Sequence, residues 1–487
     1  IASVVASLDG AVSKVMKLTE LAEKDDTRLV EAMHLEVQPQ LILTVLNSLP
    51  FLVHYPHECT EQLLNRYVPL AITNSFYNRY PELRKSVAKI PRRDTLTPAW
   101  ERDNPVRMMT LMETPWEEAS KGRKSYWPAI DMLDPKVVSA EKEDAIEKLK
   151  AYQNGDGSFP WFPGGRPDLY MTLYALDGLA EAARYNVPVP EDVARRALNY
   201  VSAEIQRHMK PEEDQTSLLL YAAYVVTSFP EKWPEHKTAL SYAKPWVDFA
   251  DKRSNAMTAF GKAYAAHVYL RLGERKKGES YLARAMDGSR EDEIAGLYWT
   301  PEKISWLWYN DRVEKHAFIL RTLLAFNPKD PRIAGMVKWL LFSRKASEWK
   351  STKASAAAIY SLLDVMKKKG ALDTEETFKI KWSDLSDEIT LQPFDWASKP
   401  LRWSKYAPGI TGRDISATIK KTGPGLAYAS LTGVYTTDKL AGESPSGMMN
   451  VLRKYFLRAK EGENYTLKPL AAGDTVSVGD QIEVQLT

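Results

Sequence analysis

Two segments of this chain begin alike, one with Tyr170-Met171-Thr172-Leu173-Tyr174-Ala175-Leu176 and the other with Thr216-Ser217-Leu218-Leu219-Leu220-Tyr221-Ala222. In both, apolar side chains recur at three- and four-residue spacing, which is typical of an amphipathic helix. From Pro39 to about Lys369 we therefore expect paired helices, stacked as an open superhelix or closed into an α/α toroid. Their starts recur at roughly 40–55 residues, a period typical of helical hairpins. The predicted helices include Leu169–Tyr185, Asp192–His208, Thr216–Thr227, Ala256–Leu272, Arg312–Phe326 and one that starts near Ala354.

Strand patterns flank the helical region, so the chain is predicted to be mainly α with a β part. Leu35–Val37 alternates before the helices, and a richer set of strands follows Gly370. Alternation and β-branched content indicate β structure there, and glycine-rich runs supply the turns. The predicted strands are Phe378–Trp382, Ile389–Leu391, Asp414–Lys421, Leu426–Val434 and Val476–Gln485.

Composition narrows the function classes. The 487 residues are 44% hydrophobic and 26% charged, which fits two or three globular domains. The net charge of +3 and the lack of a basic, aromatic-rich cluster argue against a nucleic-acid surface. A single cysteine excludes an internal disulfide and a Cys-pair zinc site, and we expect no cofactor and no metal. No apolar run is long enough to cross a bilayer, and a first residue of Ile1 suggests a fragment of a longer protein.

The lone cysteine lies in the run Tyr55-Pro56-His57-Glu58-Cys59-Thr60-Glu61-Gln62. A thiol three residues before a glutamine can attack its carboxamide, expel ammonia and close an internal thioester. The first turn of a helix would bring both side chains to one side of the chain. Aromatic neighbours such as Tyr55 and Tyr67 could shield the acyl group from water. Pro69 is expected to kink or end this helix.

Other readings of Cys59 remain open at this point. A free cysteine is often a small buried hydrophobe. It could also be the nucleophile of a hydrolase with His54 or His57 as the base, or a metal ligand with these histidines. A separate reading is an α/α-toroid carbohydrate enzyme, for which Asp156, Asp168 and Asp177 would be the candidate carboxylates.

A family resemblance separates these readings. The run Tyr55–Gln62 resembles the Cys-x-Glu-Gln thioester signature of the α2-macroglobulin and complement family, particularly its bacterial branch. Further segments look like landmarks of the same family in the same order. These segments are Met112–Trp116, Gln153–Gly165, Asp168–Thr172, Val313–Ala317, and Lys338–Leu340 followed by Ser351-Thr352.

The resemblance implies a specific domain organisation. The family's thioester domain is an α/α toroid inserted in a β domain called CUB, which is predicted here as an antiparallel β-sandwich. On this basis, residues 1–47 are a lead-in and the N-terminal CUB-like segment, and residues 48–369 are the toroid. Residues 370–453 are the C-terminal CUB-like segment, and residues 454–487 begin a truncated macroglobulin-like β domain.

The resemblance also implies a function. Family members trap proteases: bait cleavage exposes the thioester, which acylates lysine amines of the attacker in a single turnover, so the protein is not an enzyme. Cys59 would be the thiol leaving group, Gln62 the acyl donor and Glu61 the motif glutamate. Expected partners are proteases, upstream macroglobulin-like domains of the same protein and a peptidoglycan synthase. The expected location is the periplasm or cell envelope, with a lipid anchor on the full-length protein.

Two departures from the family pattern limit what is carried over. None of the histidines can be placed on the distal position that favours hydroxyl targets in complement-type members, so we expect direct attack by amines. Lys353 and Ala354 stand where many animal members have Gln and Asp. The alternatives to a protease trap are the toroid carbohydrate enzyme and a non-covalent scaffold in which no thioester forms.

Overall fold

The computed structural model describes most of the chain. The described residues are 1–39, 41–82, 85, 135–207, 216–229, 233–253, 257–293, 295–300, 311–345, 348–370, 374–393, 401–438, 453–461, 464–471 and 473–486. The predicted landmark Met112–Trp116 lies outside them.

Helices dominate the middle of the chain. A short α1 (Thr19–Ala22) is followed by α2 (Ile42–Val53) and α3 (Thr60–Arg79). The remaining helices are α4 (Pro135–Tyr152), α5 (Leu169–Arg184), α6 (Glu191–Arg207), α7 (Thr216–Val226), α8 (Pro234–Asp251), α9 (Ala259–Arg271), α10 (Arg275–Met286), α11 (Arg312–Phe326), α12 (Arg332–Phe342) and α13 (Thr352–Lys369).

Six of the described helices form a closed cycle of contacts. Helix α3 contacts α5, and α5, α7, α9, α11 and α13 each contact the next in turn. Helix α13 then contacts α3, which closes the cycle. The even-numbered helices α2 to α12 pack against members of this inner cycle. One apolar core runs through the whole set, since both faces of the inner helices are covered.

Most strands precede or follow the helical region in sequence, and two short strands form their own sheet between α10 and α11. They are β1 (Ala2–Asp9), β2 (Val12–Lys17), β3 (Leu29–Gln38), β4 (Ser289–Asp292), β5 (Gly296–Trp299), β6 (Glu376–Trp382), β7 (Leu385–Leu391), β8 (Leu401–Tyr406), β9 (Ser416–Thr422), β10 (Leu426–Thr436), β11 (Arg453–Glu461), β12 (Asn464–Leu470) and β13 (Ile482–Leu486).

Two four-stranded sheets combine both ends of the sequence. Their strand orders are β1-β10-β3-β8 and β2-β9-β6-β7. Strand β1 pairs antiparallel with β10, with Ala2 opposite Gly433, and β2 pairs antiparallel with β9, with Val12 opposite Lys421. The first of these sheets packs on the helices, where Tyr428 donates to the carbonyl oxygen of Ala334 at 2.8 Å.

The chain divides into two compact units. One comprises Ile1–Glu23 and Val30–Val434, and the other comprises Lys24–Leu29 and Tyr435–Thr487. The second unit holds a three-stranded antiparallel sheet in the order β12-β11-β13. No helix in the described part of the chain is both long and apolar enough to span a membrane.

The predicted mixture of helices and antiparallel strands is confirmed, with local corrections. The lead-in contains two strands, β1 and β2, that alternation did not single out. Within Val476–Gln485, only the part from Ile482 onwards is strand. Helix α3 does not end at Pro69 but continues ten residues further, because Val68, Leu70, Ala71 and Ile72 bury its apolar face on both sides of the proline. The predicted domain boundaries stay a prediction.

A cluster of buried charges crosses the interior of the helical cycle. Arg321 on α11 donates to Asp364 on α13 at 2.9 Å and to Glu181 on α5. Arg184 on α5 also reaches Asp364, at 3.1 Å. Helices α5 and α11 are not neighbours in the cycle, so these bonds join opposite sides of it.

Replacing Arg321 by Leu should destabilise the helical unit by about 3–5 kcal/mol, because two buried carboxylates keep only Arg184 of the two arginines that pair with them and one negative charge is left uncompensated. Urea unfolding followed by circular dichroism measures this loss. Arg195→Leu is the matched control, since Arg195 pairs with Glu235 at the surface, where a pair contributes about 1 kcal/mol or less. Equal losses in the two variants would contradict a supporting role for the buried cluster.

Candidate functional site

Cys59 stands at the start of an inner helix. Helix α3 begins at Thr60, and the Leu63 N–H donates to the Cys59 carbonyl oxygen at 2.9 Å, so Cys59 is the N-cap residue. Its side chain is buried, with 4% exposed. Oxygen-bearing side chains cap other inner helices: Asp168, Thr258, Asp311 and Ser351 each accept a backbone N–H. Sulfur is a weak acceptor by comparison, so capping alone does not account for a cysteine here.

Gln62 folds back onto Cys59. Its side-chain oxygen Oε1 accepts the backbone N–H of Cys59 at 3.0 Å. This is the reciprocal half of a capping box, in which the third helical residue satisfies the N–H of the cap. The structure therefore brings the Gln62 carboxamide next to the backbone of the residue that carries the thiol.

Two opposing effects act on the thiol. Burial raises the pKa of Cys59, and the Glu61 carboxylate raises it further. Backbone hydrogen bonds from Gln62 and Glu61 at the helix N-terminus lower this pKa in part. Because the raising effects win, a free Cys59 is a protonated thiol at neutral pH and reacts slowly with external reagents.

Glu61 points into the interior of the helical cycle. It is 7% exposed, and its Oε1 accepts from Thr352 Oγ1 at 2.7 Å and from Asn65 Nδ2. Burial raises the pKa of Glu61, although the bond from Thr352 and the charge of Lys353 act in the opposite direction. The motif glutamate thus links the first turn of α3 to helix α13.

Lys353, at a position where many animal members of the resembled family have Gln, pairs with a buried carboxylate. Its ammonium pairs with Glu314 at 2.6 Å and lies 5.2 Å from the ring centre of Tyr170. Burial alone would lower the pKa of Lys353, but the Glu314 carboxylate outweighs burial and raises it. Burial in turn raises the pKa of Glu314 to about 7. The lysine is therefore an internal cation of the helical cycle.

The aromatic loop Gln153–Gly165 docks on the start of α3. Thr60 donates its backbone N–H to Trp161 O at 2.9 Å and its hydroxyl to Pro160 O at 2.6 Å. The loop needs glycine at position 157, where φ is +89° and a Cβ would come within 2.3 Å of Arg196 O. The aromatic loop is therefore in direct contact with the residue after Cys59.

A charged group surrounds Glu58, on the other side of the cysteine. Its carboxylate pairs with Arg66 at 2.8 Å and with Lys148 at 3.0 Å. Tyr152 donates its hydroxyl to the Glu58 carbonyl oxygen at 3.4 Å. Burial raises the pKa of Tyr152, and Glu58 and Cys59 contribute to the same shift. Tyr152 is thus an aromatic neighbour of the thiol that sequence reasoning missed, because it lies on α4, far away in the sequence.

The two predicted shielding residues, Tyr55 and Tyr67, have other described contacts, and their shielding role stays a prediction. The ring of Tyr55 packs edge-on against Phe51 and the exposed His57, at 5.6 and 5.9 Å. Tyr67 is buried in the helical core, and burial raises its pKa. His54 ends helix α2, and its backbone N–H donates to Pro50 O. In the described part of the chain, no group of three His, Cys, Asp or Glu side chains is arranged to hold a metal ion.

The three aspartates of the carbohydrate-enzyme reading have structural partners. Asp156 accepts the Ser158 backbone N–H in a turn, at 2.9 Å. Asp168 caps helix α5 and also accepts from Trp161 Nε1 at 3.0 Å. Asp177 accepts from the Tyr221 hydroxyl at 3.1 Å. Burial raises the pKa of Asp177 to about 6, against the opposing charge of Arg321.

Comparison with known proteins shows what the chain as a whole resembles. No protein-family model matches the chain. The α2-macroglobulin of Thermotoga maritima is 21% identical over 283 residues, which is 56% of this chain. Trypsin-activated α2-macroglobulin from Escherichia coli superposes with a TM-score of 0.51 over 93% of this chain, at 14% identity. The chain is α2-macroglobulin-like.

A second solved structure agrees. Escherichia coli α2-macroglobulin activated by porcine elastase matches 93% of this α2-macroglobulin-like chain, with a TM-score of 0.50 and 15% identity. At such identities the structural match shows the fold. The chain spans 15% of the length of the Thermotoga protein and 26% and 34% of the two Escherichia coli chains.

Asp177 provides a test of the electrostatics inside this α2-macroglobulin-like fold. Its pKa of about 6 is above the usual 3.8, so the folded state binds the proton more tightly and stability falls as pH rises between these values. Asp177→Asn keeps an acceptor for Tyr221 but cannot titrate. The free energy of unfolding of the variant, relative to the parent, should rise by about 2 kcal/mol from pH 4 to pH 7. Urea titrations at both pH values measure it, and parallel pH dependences would show that the pKa of Asp177 is not raised.

Proposed function

We propose that Cys59 and Gln62 form an internal thioester. The observation that supports this proposal is the 3.0 Å hydrogen bond from Cys59 N–H to Gln62 Oε1, which holds the carboxamide at the cap position. In the reaction the sulfur attacks the carboxamide carbon, the C–S bond forms and the C–N bond breaks. The departing nitrogen takes the thiol proton and leaves as ammonia.

The surroundings of the cap suit the storage of an acyl group. Cys59 is 4% exposed, and Thr60 is held by the carbonyl oxygens of Pro160 and Trp161. Tyr152 lies close by at Glu58. Water must reach the acyl carbon for hydrolysis, so a buried cap closed by a docked loop slows that reaction.

The function proposed for the whole protein is protease inhibition by covalent trapping. Two of the similar solved structures hold Escherichia coli α2-macroglobulin, one activated by porcine elastase and one by trypsin. In the proposed trap, cleavage of a bait segment elsewhere in the protein exposes the thioester. A lysine amine of the protease then attacks the Gln62 acyl carbon, an amide forms, and Cys59 leaves as a thiol. Each molecule reacts once, so the proposed protein is an inhibitor and not an enzyme. The proposed inhibition is broad-spectrum.

The proposal includes the architecture that the family resemblance implies. The closed helical cycle would be the α/α toroid of a thioester domain, and the two four-stranded sheets would belong to the CUB domain around it. The three-stranded sheet would begin a macroglobulin-like domain. The full-length protein would act in the periplasm or cell envelope, lipid-anchored, with its upstream macroglobulin-like domains and a peptidoglycan synthase as partners.

Intact mass spectrometry tests the thioester. The gently purified chain should be lighter than its encoded mass by one ammonia, and methylamine should add its own mass while releasing a thiol that iodoacetamide can alkylate after denaturation. Cys59→Ser is the matched control, because serine is a good N-cap and should preserve the fold while blocking thioester formation. Gln62→Glu, which keeps an oxygen on the Cys59 N–H, is the second control.

The outcome that contradicts the thioester is equally clear. The full-length protein would show its encoded mass, and methylamine would change nothing. Cys59 would then be alkylated without any amine treatment once the chain is unfolded.

Trapping is tested with the full-length protein and trypsin. We expect a covalent adduct that survives boiling in detergent and reducing agent, and we expect Cys59→Ser to lose the adduct. Trypsin with dimethylated lysines should be trapped far less, because a tertiary amine cannot form a stable amide. Equal covalent capture by the Cys59→Ser variant would overturn the proposal.

A further inference from the structure

Thr352 reaches the first turn of α3 from the far end of the sequence. It is the first residue of helix α13, is 4% exposed, and follows the capping residue Ser351. Its hydroxyl donates to Glu61 Oε1 at 2.7 Å. The bond therefore joins α3, whose capping residue carries the thiol, to α13, which closes the helical cycle.

The bond ends on a carboxylate that is held from two sides. Glu61 Oε1 also accepts from Asn65 Nδ2, one turn along α3. Asn65 in turn accepts the hydroxyl of Tyr174 on α5, at 2.7 Å. The chain of hydrogen bonds therefore joins three helices of the cycle at the level of the cysteine.

The position of Glu61 in the turn makes this bond matter for its neighbours. Glu61 lies between Thr60, which is fixed by the aromatic loop, and Gln62, which is folded back onto Cys59. A hydrogen bond to a buried charged group is among the stronger ones in a protein. Loss of the Thr352 hydroxyl would leave the carboxylate with one donor fewer in a buried place, which favours rotation of the turn towards water.

We propose that Thr352 is a positioning residue for the thioester: by holding Glu61, it keeps the first turn of α3 in the conformation in which Gln62 faces Cys59. This inference rests on the proposed function. Thr352 does not touch the reacting atoms, and its effect reaches them through Glu61.

Three variants separate positioning from simple support. Thr352→Val removes the hydroxyl and keeps the shape of the side chain, and Thr352→Ser keeps the hydroxyl. Ser361→Ala is the matched control on the same helix, since its buried hydroxyl donates to Ala358 O within α13. Should Thr352→Val fail to fold, Thr352→Ala provides the same loss of the hydroxyl without the branched side chain.

The first readout is the lifetime of the thioester, followed by intact mass at constant pH. Thr352→Val should shorten this lifetime by about tenfold or more, the factor expected for one hydrogen bond to a charged group. Thr352→Ser should restore it, and Ser361→Ala should leave it unchanged. If Thr352→Val matches Ser361→Ala, Thr352 is not a positioning residue.

The second readout does not need the thioester. In a Gln62→Glu background, the rate of Cys59 alkylation by iodoacetamide in the folded chain should be about tenfold higher with Thr352→Val, because the loosened turn exposes the thiol. An unchanged rate would overturn the positioning role. A parent chain without ammonia loss would instead refute the thioester itself, while this second comparison would still decide the role of Thr352.

Discussion

The hydrogen bond from Cys59 N–H to Gln62 Oε1 is the contact on which the site depends. A glutamine at the third position of a helix commonly satisfies the N–H of its cap, so the bond needs no special strain. What is unusual is the capping residue, because a sulfur gains little from this position as an acceptor. The same local geometry that starts an ordinary helix therefore places a nucleophile next to an acyl donor.

Buried charges give the interior of the helical cycle its polarity. Glu61, Glu314 and Lys353 lie near the start of the inner helices, and Glu181, Arg321 and Asp364 lie further along them. Buried charges are costly unless they are paired, and each of these has a partner on another helix. Such contacts connect helices of the cycle, both neighbouring and opposite, and at one end they also hold the turn that carries Cys59.

The sequence predicted individual helices better than the contacts between residues that are distant in the sequence. Helix α6 (Glu191–Arg207) follows directly from a repeated apolar face, since its buried residues recur at three- and four-residue spacing from Val193 to Ile205. The contact between Gln62 and the Cys59 backbone is local, because the two residues are three positions apart at a helix start. The bond between Glu61 and Thr352 was not, because it joins residues 291 positions apart, and neither residue differs in type from many others. Tyr152 was missed for the same reason. Helix α3 continues past Pro69 because the burial of the residues around the proline outweighs its local cost.

An experimental structure of the gently purified chain tests the central claim most directly, through the distance between Cys59 Sγ and the carboxamide carbon of Gln62. We expect the two atoms at covalent bonding distance, with continuous density between them and no side-chain nitrogen on residue 62. Intact Gln62 and Cys59 side chains on opposite sides of the helix start would contradict the thioester and every function proposed from it.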